Sequence, residues 1–147
     1  MLERIKKLKT PEDCEKFAKN AMNNGHPEFA EAARKRAIEL RAQEYGASSI
    51  AELECLQAIY AYEEVLTKKN GRKTRATRTW QMIDRHGILP SVEKVVNREE
   101  EAAGYKALVE MDMQEFAFEA VILRHLELFS DNAIMKSKER MKKWSGD

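Results

Sequence analysis

A chain of 147 residues and 17.0 kDa has room for one helical domain over residues 1–147, since two domains would each approach the lower limit for an independent core. Its 26 Lys and Arg against 25 Asp and Glu leave a net charge of +1, and 43% of residues are hydrophobic. This excludes a disordered acidic tail, and it makes any electrostatic case for a nucleic-acid partner a local one.

Apolar residues recur every three to four positions along nearly the whole chain, and strict alternation is hard to find. This spacing predicts an all-α fold, a compact bundle of seven or eight short-to-medium helices. The first helix starts after Thr10, with Pro11 at its first position and Glu12 and Asp13 at its positive end, and it stops near Asn23 to Gly25. A second opens at Pro27, places Phe29, Ala33, Ala37 and Leu40 on one face, and closes at Tyr45 and Gly46.

Ser49 with Glu52 three residues on forms a capping box for a third helix running to about Lys68, whose Leu56, Ile59 and Tyr62 are expected in the core. After the Asn70-Gly71 turn signal, Thr74 to Arg85 reads as a shorter helix. Gly87 serves as its left-handed terminator, and Pro90 starts another helix through Val96. Glu99 to Glu101 suit the N-terminus of a helix continuing to about Glu110. Asp112 with Glu115 offers a further capping box, and Met113 to Phe129, the most apolar stretch, reads as one central helix with Glu115 and Glu119 on its wet side. Ser130 caps a last helix, Asn132 to Trp144, with Lys136, Lys138, Arg140, Lys142 and Lys143 on its surface. No helical-repeat period is present, and the echo of Glu28-Phe29-Ala30 in Glu115-Phe116-Ala117 arises readily by chance.

The near-zero net charge conceals a dipolar sequence. Residues 68–98 hold nine Lys and Arg against two acids, and residues 99–129 hold two against eight. Lys68, Lys69, Arg72, Lys73, Arg75 and Arg78 fall in KKNGRKTRATR, with no acid before Asp84. Cations on a Gly-containing loop can follow a phosphate backbone, and Thr74 at a helix start adds donors for an anion. The candidate nucleic-acid site is therefore Lys69, Arg72, Lys73, Thr74, Arg75 and Arg78, with Trp80 stacking on a base. The competing readings are that the basic block meets an acidic protein surface, including that of a second copy in a homodimer, that it neutralises the acidic 99–129 block within the fold, or that it is merely solvated and has no partner, with Trp80, Met82 and Ile83 as ordinary core. Thr77 to Val96 also has the outline of a helix-turn-helix, with Ser91, Glu93, Lys94 and Asn97 on its second helix.

Catalytic signatures are missing: the chain has no GxxxxGK[ST], GxGxxG or GxSxG. His26, His86 and His125 are scattered, and Cys14 and Cys55 stand alone on apolar stripes as buried thiols. Neither a cofactor nor a metal is called for. Adjacent Glu63 and Glu64 point about 100° apart on a helix and cannot share a site. One of them, buried and paired with an Arg of the 72–78 stretch, is expected to position the basic loop rather than perform catalysis. No run approaches the ~18 apolar residues of a spanning helix, and MLERIKKLKT lacks the apolar core of a secretory leader, so the expected setting is the cytoplasm with no membrane partner.

Overall fold

The structure, a computed structural model, describes residues 1–98 and 102–145. It is all-α: nine α-helices and two short 3-10 turns, with no strand among the described residues. The helices are α1 Leu2–Lys6, α2 Pro11–Asn23, α3 Pro27–Tyr45, α4 Ile50–Asn70, α5 Thr77–His86, α6 Ile88–Asn97, α7 Ala102–Glu110, α8 Phe118–Arg124 and α9 Asp131–Trp144. Contacts divide the chain into two compact units, Met1–Gly46 and Ala47–Asp147. None of the helices among the described residues is long and apolar enough to cross a membrane.

In the first unit α2 and α3 form a hairpin around a short turn. The Thr10 hydroxyl accepts from the Asp13 amide to cap α2, and Gly46, in the left-handed region, closes α3. Small residues set how closely the helices approach: Ala18, Ala21, Ala30 and Ala33 pack together with Ile5, and Cys14, Ala37 and Leu40 continue the seam. Arg41 pairs with Glu15 across the two helices, and Arg36 donates to the Leu8 carbonyl.

The second unit is built around α4. Cys55, Ala58 and Ile59 of that helix pack with Ile83 of α5, Val92 and Val96 of α6, Phe118, Val121 and Ile122 of α8, and Ala133 of α9. The Ser49 hydroxyl caps α4 through the Glu52 amide, as the spacing predicts. The return half of the capping box is displaced by one residue, because the Glu52 carboxylate accepts from the amide and hydroxyl of Ser48. Tyr62, expected in the core, is 38% exposed.

The largest departure lies at 113–129. In place of one helix, 3-10 turns at Gln114–Phe116 and Leu126–Leu128 flank the short α8. Asp112 takes a positive φ of 56° and Ala117 is extended, so neither continues a helix. The residue before the first 3-10 turn is Met113, which has no side-chain cap. The segment still supplies core through Met113, Phe116, Phe118, Val121, Ile122 and Phe129, but Glu119 is buried rather than wet. The Glu-Phe-Ala echo falls in a continuous helix at one site and across a 3-10 turn at the other, so it marks no duplicated hairpin. The expected helix start at Glu99 to Glu101 lies outside the described residues.

A basic loop tied to a buried glutamate

α4 ends where Gly71 adopts the left-handed conformation, φ 70° and ψ 14°, and donates its amide to the Thr67 carbonyl at 2.9 Å. A side chain there would meet no neighbour, so the requirement for glycine is conformational. The chain then runs from Arg72 to Ala76 without helical structure. The expected helix start at Thr74 is thus corrected to Thr77. Its physical cause is local: the Thr74 backbone amide donates to the Thr67 hydroxyl at 3.0 Å, and the Thr74 hydroxyl donates to the Arg72 carbonyl at 2.9 Å while accepting from the Asn70 side-chain Nδ2. Its polar groups shape the loop rather than face an anion.

Glu63 fixes the far end of that loop. The residue is 9% exposed, and its Oε2 accepts three hydrogen bonds: from Arg75 Nε at 3.0 Å, the Ala76 amide at 2.7 Å and the Trp80 indole N–H at 2.8 Å. Charge-assisted bonds of this kind are the strong ones, and an internal carboxylate needs such donors to be tolerated. The expectation that a buried glutamate positions the basic loop holds, with Glu63 in that role and Arg75 as the cation. Trp80 is half-buried against the core, its ring 5.1 Å from Tyr60 and 5.7 Å below the Arg75 guanidinium.

The sequence-derived cations therefore separate by environment. Arg75 is held by Glu63, and Lys68 lies 3.5 Å from Glu110 at the surface. Lys69, Arg72 and Arg78 are exposed and enter no ion pair among the described residues, and Lys73 is exposed. Carboxylates of the same molecule thus take up part of the basic block and leave the solvent side of the loop cationic.

The helix-turn-helix outline is corrected in its second helix. Gly87 links α5 and α6, with φ 90° and ψ 172° rather than the left-handed terminator geometry. Ser91 is buried and its hydroxyl donates to the Gly87 carbonyl at 2.6 Å. Glu93 accepts from the Ser130 amide and Asn97 from the Asn132 side chain, so both are engaged by the start of α9. Of the four candidates only Lys94 is exposed.

Two further charged clusters escaped sequence reasoning. Arg140 of α9 donates to Glu119 at 3.2 Å and to the carbonyls of Val96 and Arg98, while Lys136 donates to the Asn97 carbonyl at 2.6 Å. Two surface-labelled cations thus satisfy the C-terminal carbonyls of α6. Burial pushes the Glu119 carboxyl above its ordinary value, against the pull of Arg140. Glu54 pairs with Arg124 at 2.6 Å and lies 3.3 Å from His125 Nε2. Burial works to raise the Glu54 carboxyl, but Arg124 and His125 outweigh it and hold it below the ordinary range. Each carboxylate already has a cationic partner, and no group of three His, Cys, Asp or Glu among the described residues is placed to hold a metal ion.

Compared with family models, curated proteins and solved structures, the chain matches none of them.

Proposed function

We propose that this chain is a small cytoplasmic nucleic-acid-binding module, recognitional or regulatory rather than catalytic, that grips backbone phosphates with the loop following α4. The observation that carries the reading is the exposed set Lys69, Arg72 and Arg78 at the end of α4, in the loop and at the start of α5, around a loop whose geometry is held from behind by Glu63. A cationic loop fixed in shape loses less conformational freedom on binding than a free one. α5 begins at Thr77 without a side-chain cap, so its first-turn amides add to the attraction for an anion. Arg75 and Trp80 support the loop in this reading, and Thr74 shapes it.

The second reading, an acidic protein surface or a second copy of this chain, draws on the Lys68–Glu110 pair, in which a cation of the block already meets a carboxylate of the acidic 99–129 segment. A titration of a fluorescent 20-base-pair duplex at low salt, followed by anisotropy, separates the two together with sizing chromatography. The expected result is a monomer that binds the duplex with a Kd of roughly 100 μM or tighter. A salt-sensitive dimer that ignores the duplex would favour the second reading.

A further inference from the structure

The side of α5 that looks away from the core carries Arg78, Gln81 and Arg85. At about 100° per residue these three fall within roughly 60° of one another, opposite the arc of Thr79, Ile83 and Trp80. The latter arc is buried or half-buried, whereas all three residues of the stripe are exposed. Among the described residues neither Arg78 nor Arg85 enters an ion pair. Arg98 adds another exposed guanidinium beside the stripe, 3.4 Å from the sulfur of Met82. Asp84, the one acid on this helix, lies about 60° from Gln81 and about 100° from Arg85, at the margin of the exposed arc.

Resting on the nucleic-acid reading above, we propose that α5 is the base-reading helix of a double-stranded DNA binder: Gln81 and Arg85 face major-groove base edges while Arg78 and the loop cations hold the backbone. The chemistry is specific to these side chains. A glutamine amide offers the donor and acceptor that match adenine N6 and N7, and an arginine fork matches guanine O6 and N7. A solvated helix face gains as much from Lys and Glu, which this stripe lacks. The B-form major groove admits an α-helix, whereas the A-form groove of duplex RNA does not. Single-strand binders present aromatic rings for stacking, but Trp80 is turned inward, with its indole N–H on Glu63 and Tyr60 packed beside it. α6 is a poor alternative because Glu93 and Asn97 are taken by α9.

The test is selection from a pool of random DNA duplexes by the wild-type protein and by the Gln81→Ala/Arg85→Ala double variant, whose altered residues are both on the surface. The wild type should enrich sites with adenine and guanine at neighbouring positions. The variant should lose roughly tenfold or more affinity on the enriched sites beyond whatever it loses on unselected duplex. Identical enrichment by both proteins overturns the assignment. So does a wild type that binds duplexes with strong salt dependence and no sequence preference, or one that a single-stranded or RNA competitor displaces preferentially. If neither protein binds any nucleic acid, the underlying reading fails as well, and that outcome is distinct from the other three.

Discussion

Three donors on one carboxylate oxygen make the shape of the basic loop depend on Glu63. Replacing it with Ala leaves the Ala76 amide and the Trp80 indole N–H without an acceptor, at about 1–3 kcal/mol for each buried donor. Arg75 is 63% exposed, so its share of the ion pair is small. The expected loss for Glu63→Ala is therefore about 2–6 kcal/mol in urea unfolding, and Glu63→Gln, which keeps an acceptor, loses less. That an inward glutamate positions this loop was legible in the sequence, because adjacent helical residues cannot both point inward and the arginines at 72–78 follow with no nearby acid. Which donors it would gather was not, since an indole 17 positions away leaves no local pattern. The two thiols were legible as buried. Burial raises Cys14 and pushes Cys55 up to about 12, so a disulfide reagent should modify both only after denaturant is added, and fast labelling of the native protein would contradict this.

Glu54 and Glu119 give opposite pH dependences. Glu54 sits below its ordinary value of 4.5, so its contribution is present above that pH and is lost as pH falls through its folded value. Glu119 sits above 4.5, so the folded state binds its proton more tightly, and that contribution fades as pH rises through its folded value. Urea midpoints measured between about pH 3 and 6 should show Glu54→Gln flattening the loss on the acid side. Glu119→Gln should remove the opposite slope.

At the scale of elements, boundaries set by caps were readable and those set by tertiary contacts were not. Thr10-Pro11, His26-Pro27 and Ser49 place the starts of α2, α3 and α4 because proline and hydroxyl caps act within one turn. The start of α5 was misplaced because the Thr67 hydroxyl, seven residues back, captures the Thr74 amide. The segment 113–129 was misread because Glu115 and Glu119 one turn apart mimic the wet strip of a single helix, while the backbone breaks at Asp112 and Ala117 leave no trace in hydropathy. Glu119 looked wet because its partner, Arg140, lies 21 positions on. Truncating Arg140 to Ala strands that buried carboxylate and frees the end of α6, which should cost about 3–5 kcal/mol in chemical unfolding. The Glu119→Gln/Arg140→Met double variant should cost less than Arg140→Ala alone. At the α5–α6 junction, Gly87 holds φ 90° and ψ 172°, a conformation close to exclusive to glycine. Gly87→Ala should lower stability by about 1–3 kcal/mol even though the added methyl meets only Pro90 Cδ at 3.8 Å.

For the whole molecule, net charge is uninformative and its distribution along the chain is not. A total of +1 conceals nine cations against two acids in residues 68–98, and folding spends only part of that excess on internal carboxylates. The all-α class was legible because helical periodicity runs through almost the whole sequence, whereas the division into two compact units leaves no mark in composition. The salt dependence of duplex binding addresses the central claim most directly, because each phosphate contact releases a counterion and sets the slope of log K against log salt. The account predicts a steep negative slope for the wild type and a slope shallower by about two for Arg72→Ala/Arg78→Ala, with the fold unchanged by circular dichroism. Equal slopes and affinities for the two proteins would contradict it.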